Sequence, residues 1–230
     1  MNFSTTGRVS GPTRRALVTG SICSAMLAGC ANPALFVRNA DAVAKQVFGG
    51  KRPALTRDQV AQFAAASVSV ALGGGTPQLL LLTRVDGANH QWGLNGQMVL
   101  QTRGGRLTAT GGFAHDLART SELMPDPAQT GLLQAEDARC IRLLDYSDAY
   151  GTGCEAHSRF HVEGPETLEI LGAHIATLRI AERVEVKTIS WRHSNLFWVE
   201  QATGMVWRSQ QHFHPDLAAM TITTMRPSNV

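Results

Sequence analysis

The histidines, serines and carboxylates of this chain fall into three groupings with spacings that chemistry could use. His212-Phe213-His214 sets two imidazoles on one face of an extended segment, a spacing that can hold a metal ion. No third ligand of clear identity accompanies them, so a surface or core pair is expected and no metal or other cofactor is assigned. His115-Asp116 pairs an imidazole with a carboxylate, and Ser121 and Ser158 are nucleophiles on paper. The G-x-S-x-G elbow that would expose such a serine is missing, and no catalytic residue is assigned. Glu163, Glu166 and Glu169 crowd one region as glycosidase carboxylates do. Glycosidase chemistry needs two carboxyls about 5 to 9 Å apart across a sugar cleft, whereas the adjoining Gly164-Pro165 reads as an exposed loop.

The cysteine at position 30 has a different chemistry. Met1 to Arg15 is polar and basic, Ala16 to Ala28 is dominated by apolar and small residues, and Leu27-Ala28-Gly29-Cys30 follows. Thirteen helical residues rise about 20 Å, less than a hydrocarbon layer of roughly 30 Å, so this is expected to be a signal-peptide core and not a span. The four-residue sequence resembles the lipobox of bacterial lipoproteins, in which the thiol takes a diacylglycerol and cleavage makes that cysteine the new N-terminus. Thr13-Arg14-Arg15-Ala16-Leu17 loosely resembles a twin-arginine signal, so general and twin-arginine export are both open. Ala31 follows the cysteine where Asp would signal retention in the inner membrane. The resemblance therefore implies anchorage in the outer membrane through lipid on Cys30, facing the periplasm. Each buried methylene adds about 0.8 kcal/mol to that anchorage.

Charge and cysteine usage follow from this division. The 230 residues carry 21 Lys and Arg against 18 Asp and Glu. Arg8, Arg14 and Arg15 precede Cys30 with no acidic residue among them, so 18 basic and 18 acidic residues remain beyond it. A folded part so nearly neutral argues against a nucleic-acid partner. Cys23 falls in the expected signal and Cys30 is expected to carry lipid, leaving Cys140 and Cys154. In an oxidising compartment that pair is expected to form a disulfide, contributing about 3 kcal/mol. A metal or redox pair would want C-x-x-C spacing, which is not present.

The elements that must position these residues are mostly strands. Pro33 to Val47 places Phe36, Ala40, Val43 and Val47 at helical spacing before Gly49-Gly50, which predicts a short amphipathic helix or tether. Ser67 to Leu72 and Gln78 to Arg84 flank a glycine-rich turn as a hairpin, and Met98 to Thr102 with Arg106 to Thr110 repeats the arrangement. A short helix is expected over His115 to Leu123. Strands follow at Ala138 to Leu144, Ala156 to Val162, Thr167 to Leu171, Val184 to Trp191, Phe197 to Glu200, Met205 to Ser209 and Met220 to Met225, with a hairpin turn at Gln201 to Gly204. The expected fold is mainly β, an antiparallel β-sandwich or a curved open half-barrel with a short N-terminal helix. Residues 1–29 are expected to be the signal peptide, 30–66 the lipidated N-terminus, tether and short helix, and 67–230 one β-rich periplasmic domain.

Trp92 with Asn95, Met98-Val99-Leu100, Arg103-Gly104-Gly105-Arg106-Leu107, Thr110-Gly111 and Asp116-Leu117 resemble the first signature block of the YjbF/GfcB lipoproteins, the group 4 capsule and exopolysaccharide proteins. Asn195-Leu196-Phe197-Trp198-Val199, Thr203 to Ser209, Gln210-Gln211-His212, Pro215-Asp216 and Met225-Arg226-Pro227 resemble the second. The paired Cys140 and Cys154 and the triple glycine at Gly73 depart from that pattern. The resemblance covers roughly Ser67 to Pro227 together with the lipobox. It implies a role in producing or secreting an extracellular polysaccharide, with the glycan or other export proteins as partners, and it brings no catalytic residues.

Trp92, Trp198 and Trp207 have faces that could stack on sugar rings, as does Trp191, although aromatics in strands usually pack a core. In Phe197-Trp198-Val199 alternation sends Trp198 to the opposite face from its neighbours, which makes that face a surface or a second core. Arg103 and Arg106 bracket a diglycine turn and could hold acidic sugar groups or phosphate; a solvated hairpin tip is the simpler expectation. Two functions of other classes remain beside the polysaccharide role. A glycan-modifying hydrolase would require a cleft with paired carboxylates, and a carrier of lipid or another apolar ligand would require a continuous apolar cavity.

Overall fold

The computed structural model describes residues 56–61, 65–94 and 97–228. Cys30, the expected signal peptide and the helix expected over Pro33 to Val47 lie outside the described residues. What is described is a single antiparallel sheet of β1 (Ser67–Leu72), β2 (Gln78–Asp86), β3 (Asn89–Leu94), β4 (Met98–Arg103), β5 (Arg106–Gly111), β6 (Leu117–Glu122), β7 (Arg139–Tyr146), β8 (Cys154–Ile170), β9 (Ala173–Val186), β10 (Trp191–Glu200), β11 (Val206–Gln211) and β12 (Met220–Arg226). Two short helices, α1 (Arg57–Ala61) and α2 (Pro127–Thr130), accompany it.

Every strand pairs with its neighbours in sequence except β5 and β6, and β1 also pairs with β12. The sheet is therefore a meander rolled almost into a barrel, with its one ladder gap between β5 and β6. Side chains bridge that gap: the Leu117 N–H donates to Thr110 Oγ1 (2.9 Å), and Thr110 donates in turn to Asp116 (2.8 Å). Neither two stacked sheets nor an open half-barrel results. The pairing of the first and last strands carries the curvature further than alternation alone could indicate.

Alternation sets what faces inward. On β7, Cys140, Arg142, Leu144 and Tyr146 are buried; on β8, Cys154, Ala156, Ser158 and Phe160; on β9, Ile180, Glu182, Val184 and Val186. These residues sort by height into layers. At one end Cys140, Phe160, Ile180, Phe197 and Val199 pack against Ala128, Leu132 and Ala135 of the β6–β7 connection, which turns into the barrel as a plug. Toward the other end lies a larger apolar cluster that includes Leu80, Leu100, Leu144, Ala156, Val184 and Met220.

Two glycines fit the plug against the β4–β5 hairpin. Gly104 has φ +55°, and a Cβ there would stand 2.8 Å from the Gln129 carbonyl; one on Gly105 would strike Val206 at 2.6 Å. With no side chain in the way, the Gly105 N–H donates to the Ala128 carbonyl of α2 (2.7 Å).

Two other expectations are corrected. Leu117–Glu122 is a strand, not a helix, because pairing with β7 overrides its local preference. Cys140 and Cys154 are free, and the expected disulfide does not form. In the β7–β8 ladder Cys140 faces Ser158 while Cys154 faces Leu144. Four residues of offset is about 13 Å along a strand, far beyond the roughly 4.4 to 6.8 Å between Cα atoms that a disulfide spans. The thiols also belong to different apolar layers.

Candidate functional site

Between the apolar layers lies a charged one. Arg106 donates from Nε and Nη2 to Asp126 (2.7 and 3.0 Å), and from Nη1 and Nη2 to Glu182 (2.7 and 2.9 Å). Arg142 donates to Glu182 Oε1 (2.8 Å) and to Ser158 (3.1 Å), while Asn195 donates to Glu182 Oε2 (2.7 Å). The three side chains Arg106, Asp126 and Glu182 are at most 1% exposed. Burial alone would neutralise such carboxylates; the guanidinia instead hold Glu182 and Asp126 well below the usual carboxylate range. The same carboxylates keep Arg106 firmly protonated against the desolvation of its site.

This layer changes the reading of the first sequence block. Arg106 is no hairpin-tip ligand: it lies inside the barrel with its guanidinium 5.4 Å from the centre of the Phe197 ring. Asp126 also caps α2 by accepting from the Ala128 N–H (2.9 Å), so the plug is anchored to the same four charges. Crossing the interior between the apolar clusters, the charged layer interrupts any continuous apolar lumen among the described residues. The requirement of a lipid carrier is not met there.

The histidines separate. His212 Nδ1 lies 3.1 Å from the Ser194 carbonyl, whereas His214 Nε2 lies 2.8 Å from Asp148 Oδ2. That same oxygen meets His115 Nδ1 at 2.8 Å. His115 therefore partners Asp148 and not its sequence neighbour Asp116, which accepts from the Gly112 and Phe113 N–H groups. The ligand atoms of His115, Asp148 and His214 lie within 4.8 Å of one another, close enough for a metal to be considered. Two features oppose one. The imidazoles stack 4.5 Å apart at 11°, so their in-plane lone pairs do not converge. His214 Nδ1 accepts the Asp216 N–H (3.2 Å), which leaves the proton on Nε2, where it is donated to Asp148. Three groups sharing protons fit this geometry better than three ligands.

Neither Ser121 nor Ser158 is hydrogen-bonded to a histidine among the described residues. Gly164-Pro165 lies inside the 17-residue strand β8, at a bulge, and not in a loop. Arg179 binds both Glu163 and Glu166, and none of Glu163, Glu166 and Glu169 lines the grooves described below.

Trp198 and Trp207 belong to a second core outside the barrel wall. Leu168 and Ile170, from the projecting part of the β8–β9 hairpin, pack on Trp198, with Trp207 and Met225 alongside. Alternation did send Trp198 to the opposite face, and that face is covered, leaving the indole 8% exposed. Trp92 is likewise interior and donates to Thr102 Oγ1 (2.8 Å). Of the residues expected at a glycan contact, Arg103 alone is exposed. It lines an outer groove of about 420 Å³ with Arg84 and Arg119. Trp92 edges a second cavity of about 390 Å³ beneath α2, among Thr102, Thr130, Ser209 and Thr224.

A third and larger groove, about 830 Å³, runs over the outer face of β7 to β10 and contains Arg139, Arg159, Arg183 and Arg192. None of these stood out in the sequence. Each occupies an outward position on a strand, and only the register brings them together.

The profile of the group 4 capsule polysaccharide lipoprotein family, GfcB and YjbF, matches residues 40–225. The uncharacterized lipoprotein GfcB of Escherichia coli K12 is 23% identical over 209 residues, covering 90% of this chain and 97% of the relative. The uncharacterized lipoprotein YjbF of the same strain is 24% identical over 184 residues, covering 78% and 84%. Among solved structures, the crystal structure of the hypothetical lipoprotein YmcC from E. coli K12 superposes with a TM-score of 0.69 at 22% identity, covering 83% of this chain and 97% of that one. That likeness shows a shared fold.

Proposed function

The chain belongs to the YjbF family of group 4 capsule polysaccharide lipoproteins, and from that premise we propose that it supports production or secretion of a capsule or other extracellular polysaccharide without acting as an enzyme. In this reading residues 1–29 are removed as a signal peptide and Cys30 carries the lipid. Residues 30–66 tether the domain of residues 67–230 to the periplasmic face of the outer membrane. The observation that carries the reading is the family match over residues 40–225. The geometry agrees with it: of the carboxylates a hydrolase could use, Glu163 and Glu166 are tied to Arg179, and a charged layer crosses the interior. Grooves on the outside are left to meet a glycan or an export partner.

Deletion of this gene alone tests the proposal, with surface polysaccharide and its intracellular precursors both quantified. Loss of surface material, restored by the intact gene and not by a Cys30→Ala allele, is the expected outcome. Normal amounts of both pools in the deletion strain would overturn it.

A further inference from the structure

Arg139 on β7 stands directly opposite Arg159 on β8, and Arg159 directly opposite Arg183 on β9. Three guanidinium side chains thus form a row across three adjacent strands, stepping about 4.8 Å each time. All three are exposed. Like charges directly opposite one another on a sheet are destabilising, so such a row is a cost to the fold. Arg159 is relieved by Asp137 (2.7 Å), but the guanidinium groups of Arg139 and Arg183 have no hydrogen bond or ion pair among the described residues. Arg192 extends the basic groove on β10, where it is held by Glu185. The folded part has almost no net charge, so the positive charge here is local and not a reflection of composition.

We infer that this groove binds an acidic polysaccharide, its sugar carboxylates or phosphates meeting the row Arg139, Arg159 and Arg183. The step between the strands that carry them is on the scale of one sugar residue, and a planar guanidinium takes a carboxylate or phosphate through two parallel hydrogen bonds. The groove is concave, with Met124 and Glu185 among its lining residues. A chain can enter such a surface, whereas a flat bilayer cannot lie along it. This inference rests on the polysaccharide role proposed above and names the class of glycan.

The full mature chain, lipidated and held in an uncharged, sugar-free detergent, is titrated with oligogalacturonate, with dextran oligomers as the uncharged control. Micelles doped with phosphatidylglycerol supply the alternative, lipid source of anionic groups. Binding of oligogalacturonate and not dextran is expected, weakened about five-fold by Arg183→Gln and about a hundred-fold by the Arg139→Gln, Arg159→Gln, Arg183→Gln triple variant. Arg179→Gln, at an arginine that lines none of the three grooves, should leave the affinity unchanged. No binding of oligogalacturonate, equal binding by the triple variant, or binding to phosphatidylglycerol alone overturns the inference. If the triple variant fails to fold, Arg183→Gln decides. In cells, a deletion that loses polysaccharide and is fully restored by the triple allele would sink the groove while leaving the broader role standing.

Discussion

Replacing Glu182 by Gln keeps the shape of a side chain that carries the centre of the barrel and removes its charge. Both carboxylate oxygens are saturated in the native protein, Oε1 by Arg106 and Arg142 and Oε2 by Arg106 and Asn195. The amide offers one acceptor where there were two, and its NH2 group faces donors. Two charge-assisted hydrogen bonds worth about 1.5 to 3 kcal/mol each are lost, and two guanidinia are left against Asp126 alone. The sum agrees with the roughly 3 to 5 kcal/mol expected when one partner of a buried ion pair is removed. For a domain of this length that lowers Tm by on the order of 10 °C, readable by circular dichroism. The double variant Glu182→Gln with Arg142→Gln restores charge balance in the layer and should regain part of the loss, a coupling of about 1 to 3 kcal/mol. A single variant within about 2 °C of the native Tm, or a double variant no better than the single, would refute the assignment of this network to the fold.

Acid should loosen the protein in two stages. Burial pushes His193 down to about 3 and holds His212 and His214 below their ordinary value of 6.5. These groups are neutral in the fold, so stability is complete above pH 6.5 and declines as pH falls toward their folded values. His193 alone accounts for about 1 to 2 kcal/mol by pH 5. Glu182 and Asp126, depressed from 4.5 and 3.8, add a second loss below those values; a Tm unchanged between pH 7 and pH 5 would contradict the first stage. Burial pushes Cys140 up to about 11, so in the native state neither Cys140 nor Cys154 should react quickly with a thiol reagent. Both should label in denaturant without prior reduction, and a Tm that drops on adding dithiothreitol would restore the disulfide. Trp198→Ala should cost about 3 to 5 kcal/mol by urea unfolding, because the indole is core under the β8–β9 hairpin; a solvent-facing stacking platform would lose almost nothing.

What the sequence discloses here depends on the range of the interaction. The hairpins β1–β2 and β4–β5 and the Gln201–Gly204 turn are legible because alternation and turn glycines act within a few residues. Strand β8 reads as two pieces, since Gly164-Pro165 looks like a break; the long ladder to β9 carries the chain through it with only a bulge. The role of Trp198 is half legible: alternation assigns its face, but the hairpin that covers it comes from residues some thirty positions earlier. The charged layer was hidden for a related reason. Arg142 and Glu182 occupy inward positions on their strands, but a charge at an inward position reads as a surface residue until its partners from β5 and the plug are known.

The same reasoning decides where function can lie. A nearly closed barrel has an inside and an outside, and in many such folds a cavity inside is the binding site. Here the inside is occupied at one end by the plug, with a cavity of about 390 Å³ left beside it, across the middle by two arginines and two carboxylates, and toward the other end by the larger apolar cluster. Opening it to a ligand would break charge pairs that are worth most when dry. The outer wall carries no such constraint, and there the sheet tolerates three arginines in direct opposition, two of them with no partner for the guanidinium among the described residues. A buried charge balanced by its neighbours is explained by the fold alone; an exposed charge row that the fold does not balance is explained by something that arrives from outside.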